Sequence, residues 1–207
     1  GIISTNVGLS YEKSGISAVL TYTQPLFVFC LAVPFLKEEF KPSRLLGVFT
    51  GFSGVVALSL REEGFLESFT YSVLLLLVGA FLWAVAIVYY KRLLSHIDPV
   101  VANIVQLGAG AVLLTPLSAI FGGFSFPLSA AYLPVILYAS VGASGVALTI
   151  WTFLLREEEA TVLSSSSFII PMAALFFGWL LLGESVEPRS LLGAALIMAG
   201  VYLVNKA

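Results

Sequence analysis

The chain has 207 residues, of which 59% are hydrophobic and 11% charged, with a net charge of −2. Soluble domains run near about 25% charged, so this composition cannot cover a water-facing surface and excludes an ordinary soluble globule. A single cysteine, Cys30, excludes an intramolecular disulfide framework.

In chain order, residues 1–11 read as the end of a helix. Run 14–36 then contains no Asp, Glu, Lys, Arg or His and is long enough to cross about 30 Å of hydrocarbon as a helix. Run 45–60 is near the lower limit for a span, and Arg44 before it can snorkel to the interface. Run 68–90 is a full span. Run 99–155 carries no charge and is too long for one crossing; it breaks at the turn-forming stretch Gly122-Gly123-Phe124-Ser125-Phe126-Pro127 into 99–121 and 130–155. Runs 160–183 and 190–205 follow, the latter flanked by Arg189. The run lengths and the lack of period-two alternation exclude transmembrane strands. The expected fold is an all-α polytopic membrane protein, a helical bundle with seven spans and a helix stub.

The C-terminal segment repeats the N-terminal one at an offset of 146 residues. Glu12, Pro25, Glu38, Pro42, Gly47 and Gly54 fall on Glu158, Pro171, Glu184, Pro188, Gly193 and Gly200. Five helical steps separate 14–36 from 160–183, and five is odd, so the two copies point opposite ways through the bilayer. The loops then sort onto two faces. One carries Lys13, Arg61 and Arg189; the other carries Lys37, Lys41, Arg44, Lys91, Arg92, Arg156 and Lys206. The excess of basic residues places the second face, and the C-terminus, in the cytoplasm, with the plasma membrane as the expected location. Three helices precede the second copy but only a stub precedes the first. On the order of 75 residues are therefore expected upstream, completing ten spans in two inverted halves. On this division 1–67 is the end of the first repeat and 68–207 the second.

The motifs in both copies carry a family resemblance. The stretch Leu20 to Phe27, then Lys37-Glu38, Pro42, Leu45-Leu46-Gly47, Gly51 and Gly54-Val55 resembles the EamA domain of the drug/metabolite transporter superfamily. Ile170-Pro171, Gly183-Glu184, Glu187-Pro188, Leu191-Leu192-Gly193 and Gly200-Val201 resemble it equally. One departure is Lys37, where the pattern has glycine. The resemblance implies two inverted five-helix halves, a central substrate cavity and alternating access. It implies export or exchange of a small metabolite without specifying which.

Candidate site residues follow from the spans. Pro25 and Pro171 interrupt equivalent helices and displace the carbonyls of Thr21 and Ser167, which nearby hydroxyls can satisfy. Paired interruptions point to a solute site, around which Tyr22, Gln24, Ser164 and Ser167 are candidates. Asn103 and Gln106 are three apart on one face of their helix and are expected either to bond across helices or to line a wet cavity. Trp83, which shares a face with Tyr90, is a deeper aromatic candidate; Tyr138 and Trp151 are others. Glu38 and Glu184 end their helices and are expected to cap the helix that follows. Gly47, Gly51 and Gly54 form a small-residue stripe for packing onto the bundle or for a homodimer.

The charge-free spans disfavour carboxylate-based proton coupling and strongly charged substrates, leaving a neutral or zwitterionic solute. Besides that solute, the lipid bilayer and the possible homodimer, no partner is expected: no cofactor, metal or nucleic-acid motif is present. The rival classes are a non-transporting membrane protein and an intramembrane serine protease, the latter from Gly142-Ala143-Ser144-Gly145. His96, the one histidine, lies at a helix end, roughly 15 Å by helix rise from Ser144, too far to act as its base. No catalytic residue and no enzyme activity are therefore expected.

Overall fold

The computed structural model describes residues 19–59, 71–121, 132–183 and 185–207. In order, the helices are α1 (Gln24–Leu36), α2 (Pro42–Ser59), α3 (Tyr71–Tyr89) ending in a π-turn (Tyr90–Leu94), α4 (Pro99–Phe121) and α5 (Tyr132–Leu137). A ten-residue π-helix (Tyr138–Ala147) leads into α6 (Leu148–Glu157), followed by α7 (Ala160–Ser166), α8 (Ile169–Leu182) and α9 (Pro188–Lys206). Six apolar helical stretches are long enough to cross a bilayer, and Pro42–Leu58 is a shorter seventh. No strand occurs among the described residues. The stub at 1–11, the turn at 122–127 and Glu184 lie outside them.

Helix is the local answer because hydrocarbon offers no partner for backbone N–H and C=O groups, which must pair within the segment. The outward surfaces are correspondingly apolar: Val112 and Leu181 are each 73% exposed, which suits contact with lipid. Cys30 is also exposed.

Two compact units form, one from Gly1–Arg92 with Glu159–Ala207 and the other from Leu93–Glu158. Packing in the first unit joins helices from both sequence copies. Its main seam is α2 against α9, which are repeat counterparts and run antiparallel. A Cβ on Gly47 would meet Gly200 O at 2.8 Å, and one on Gly54 would meet Gly193 O at 2.6 Å. Adding the repeat offset to the Gly47–Gly200 contact yields Gly193–Gly54, so the seam maps onto itself as a two-fold requires. The same holds for Gly47 beside Val204 and Gly193 beside Leu58. The stripe of Gly47, Gly51 and Gly54 is buried by α9 and Phe168 within the bundle.

Elsewhere in this unit α1 packs on α3 and α7. The loop after α1 explains the glycine of the repeat. Lys37 adopts left-handed geometry (φ 59°), as Gly183 does after α8 (φ 68°). The Glu38 N–H then closes the helix end on Ala32 O at 3.4 Å, past a left-handed C-terminal residue. A residue with a Cβ pays for this conformation where glycine does not. Lys37→Gly is accordingly expected to raise stability by about 1 kcal/mol, and Gly183→Ala to lower it by about 1 kcal/mol. Thermal melts of the detergent-solubilised variants check both signs.

In the second unit α4 packs on α6. Asp98 starts α4: its Oδ1 accepts from the N–H groups of Val100 (2.9 Å) and Val101 (3.3 Å), with Pro99 in the first turn, where its missing donor costs nothing.

Candidate functional site

The two interruptions predicted from Pro25 and Pro171 are breaks rather than kinks. Helical geometry lapses at Tyr22-Thr23 and at Ser167-Phe168, and each proline lies in the first turn of the helix that follows. There its missing N–H belongs to a group that has no intrahelical partner anyway. The hydroxyls that bond at the breaks are not those of Thr21 and Ser167. Thr23 Oγ1 donates to Leu20 O (2.6 Å), Ser165 Oγ to Val162 O (2.8 Å) and Ser166 Oγ to Leu163 O (2.6 Å). Backbone bonds three residues back tighten the same turns: Thr23 N–H to Leu20 O, Ser167 N–H to Ser164 O and Phe168 N–H to Ser165 O. The carbonyls that accept these bonds lie one to five residues before Thr21 and Ser167.

Both breaks abut one core. Tyr22 and Leu26 pack against Val48, Val55, Phe168, Ile197 and Val204, and Tyr22 and Phe168 are repeat counterparts. Three polar side chains nearby in sequence are buried with unused hydrogen-bonding atoms: Gln24 (9% exposed) at Nε2, Thr161 (2%) at Oγ1 and Ser164 (0%) at Oγ. Gln24 lies on α1 and the other two on α7, helices that pack on each other. Polar atoms buried in an apolar interior are costly unless something bonds them; in the same unit Arg44 Nε is also buried without a hydrogen-bond partner. Trp83 in this unit is 37% exposed, and Ser167 is half-buried. Tyr90 is buried.

The remaining candidates belong to the second unit, where Asn103 has a different task. Its Nδ2 donates to Ser144 O (3.1 Å), Gly145 O (3.2 Å) and Thr149 Oγ1 (2.7 Å). It therefore braces the π-helix from across the helix pair. Gln106 does not share its face: Asn103 is buried and Gln106 exposed. Three residues turn a helix by about 300°, and the missing 60° carries Gln106 out of the interface. Tyr138 is 75% exposed and Trp151 half-buried. Ser144 Oγ donates to Ala139 O five residues back (2.9 Å), an internal bond of the π-helix, so its hydroxyl serves the backbone rather than a nucleophilic pair. Asn103→Leu is expected to cost about 1–3 kcal/mol, as for an unmet buried hydrogen-bond set. Faster amide exchange localised to residues 144–149 would identify that cause.

Glu38 caps a helix, but not the one that follows it. Its Oε1 accepts from Ala160 N–H (2.6 Å) and its Oε2 from Thr161 N–H (3.3 Å), at the start of α7. Beside it Arg44, 8% exposed at its side chain, forms an ion pair with Glu159, and Lys41 Nζ donates to Ala207 O. Sequence reasoning missed Arg44 and Glu159 as partners. Each looked like an ordinary flanking charge, and only the fold brings positions so distant in the chain together.

A family model described as EamA-like transporter family matches residues 1–60 and 70–206. An uncharacterized transporter of Bacillus subtilis, YoaV, is 30% identical over 198 residues, covering 95% of this chain and 68% of that protein. An uncharacterized transporter encoded in the sor 3′ region of Acidianus ambivalens is 34% identical over 164 residues, covering 79% and 63%. A chloroplastic WAT1-related protein of Arabidopsis thaliana is 30% identical over 207 residues, covering 96% and 50%. The chain thus spans between half and about two thirds of these relatives' length. One solved crystal structure superimposes with a TM-score of 0.84 over 99% of this chain and 71% of the other, at 18% identity, a likeness of fold.

Proposed function

Because the chain belongs to the EamA-like transporter family, we propose that this membrane transporter carries a small neutral or zwitterionic solute, as exporter or exchanger, by alternating access between inverted repeats. The repeats divide near residue 68. The solute is held by amide and hydroxyl groups at the paired helix breaks, with Gln24 and Ser164 as principal contacts and Tyr22, Thr161 and Ser167 beside them. The observation that carries this reading is the pair of breaks at equivalent positions of the two copies, next to buried polar atoms that have no hydrogen-bond partner in the protein. Interrupted helices at corresponding positions of two repeats are a recurrent way of building a transport site. The apolar composition of the described spans supports a solute without net charge.

The cytoplasmic end is the one bearing Lys37, Lys41, Arg44 and the C-terminus. The Lys41–Ala207 bond and the position of Arg92 over the Phe35 ring, 5.9 Å from its centroid, gather basic residues at this end, and basic loops stay inside.

A thermal-shift screen of the intact protein against neutral amino acids, nucleosides and small amphiphiles identifies a ligand, since binding to the folded form raises the melting temperature. Gln24→Leu is then expected to lower flux of that ligand into proteoliposomes about tenfold, the loss of one buried hydrogen bond, without loss of folded protein. Undiminished flux in Gln24→Leu would remove the site.

A further inference from the structure

The polar contacts around Glu38 have a feature that packing alone does not require. Apart from the Lys41–Glu39 pair within the loop (3.4 Å), the side-chain contacts of Glu38, Lys41 and Arg44 join the first sequence copy to the second at one end of the bundle. Glu38, in the loop after α1, holds the first two N–H groups of α7. Arg44, on α2, pairs with Glu159, the residue before α7. Lys41 donates to the carbonyl of Ala207, after α9. At the middle of the bundle the same two copies meet differently. The α2/α9 seam is apolar and interlocked, backbone against backbone, at Gly47–Gly200 and Gly54–Gly193.

These two kinds of contact suit two mechanical roles. A seam of glycines in van der Waals contact cannot open without leaving voids on both helices, so it serves as a pivot. Charged groups at the edge of the membrane can part and be rehydrated, so they can release. Within the carrier reading given above, on which this rests, two halves that rock must separate at one end and close at the other.

We propose that Glu38 on the α7 N-terminus and the Arg44–Glu159 pair form the latch of the gate on this face. The structure holds it closed, and it parts when the transporter opens to this side. The two ends are also unequal by sequence. The repeat counterpart of Arg44 is Ser190 and that of Glu159 is Lys13, so by sequence this pair is not repeated at those two positions. The resting transporter therefore favours closure on the face of Glu38. Lys37 adds to this: it holds a left-handed conformation that its counterpart Gly183 adopts freely, and such residues collect where a segment is held for function.

The test uses the full-length protein in membrane vesicles with Cys30→Ser as background. Single cysteines are placed at Ser165, fully buried one turn into the bundle from the latch, and at Ser190, 3% exposed near the start of α9. A membrane-impermeant maleimide is applied from the side that the cysteine faces. Glu38→Ala and Arg44→Ala are each expected to speed labelling at Ser165→Cys about tenfold, the factor for losing one charge-assisted hydrogen bond, with labelling at Ser190→Cys unchanged or slower. Glu38→Gln keeps an acceptor oxygen for the α7 N–H groups and restores slow labelling. Unaltered rates at Ser165→Cys in both alanine variants would overturn the latch. So would equal acceleration at both cysteines, the mark of a contact that merely holds the fold together. Labelling needs no solute, so the two readings fail separately. A responsive latch without flux of any screened solute counts against the carrier, and flux with an unresponsive Ser165→Cys counts against the latch.

Discussion

Gly200→Val is expected to remove most folded protein from the membrane. A Cβ at this position would stand 2.6 Å from Gly47 O and 2.6 Å from Gly51 Cα. Both are backbone atoms of α2, so no side-chain rotation relieves the overlap and the helices must separate. Overpacking in a core costs about 1–3 kcal/mol where side chains can shift; with only backbone to move, about 3 kcal/mol or more is expected here. Gly108 supplies the contrast. It lies in α4, and a Cβ added there would meet nothing within 4 Å, so Gly108→Ala should be neutral or stabilise by up to about 1 kcal/mol through helix propensity. Fluorescence-detected gel filtration after a heating series reads both. A Gly200→Val protein as stable as Gly108→Ala would mean that α2 and α9 do not meet as described.

Phe168→Ala should be nearly as damaging, for the opposite reason. The ring is completely buried at the centre of the cluster formed by Val48, Val55, Ile197 and Val204, and truncating a buried phenylalanine costs about 3–5 kcal/mol. A second substitution makes the test specific to this contact. A Cβ on Gly51 would lie 2.6 Å from Cδ2 of the Phe168 ring, so Gly51→Ala alone is expected to destabilise. In the Phe168→Ala background the added methyl enters space the ring has left. The double variant should then be more stable than the sum of the singles predicts, with a coupling of about 0.5–3 kcal/mol. Strict additivity in chemical or thermal unfolding would show that Gly51 and Phe168 are not in contact.

Much of the bundle was legible because hydrocarbon imposes one-dimensional rules. Charge-free runs of sufficient length must be helices, and 99–121 coincides with α4, Pro99–Phe121. Ends drifted where a charge did not stop the helix. The run 130–155 continues through Arg156 to Glu157, since long charged side chains at a helix end reach the interface. Likewise α2 begins at Pro42 rather than at residue 45, proline being suited to a first turn.

The π-helix at Tyr138–Ala147 had no such signal, because bonding five residues back rather than four leaves no compositional trace. The glycine stripe announced close packing but not its partner, which proved to be the stripe's own repeat. The candidate site divided in the same way. Proline positions located the breaks, whereas the fate of each polar group depended on neighbours distant in sequence. Asn103 is committed to Ser144, Gly145 and Thr149, while Gln24 Nε2 is left without a partner. Glu38 behaves alike: a carboxylate after a helix advertises capping, but only the fold shows that the capped helix begins at Ala160.

The inverted two-fold that relates α2 to α9 underlies both the pivot and the transport reading, and two loop positions test it directly. Glu39 and Ser185 are repeat counterparts, both exposed, just before α2 and α9 respectively. Single cysteines at each, probed with an impermeant maleimide in vesicles of known sidedness, should label from opposite sides, Glu39→Cys from the cytoplasmic one. Labelling of both from the same side would contradict the account.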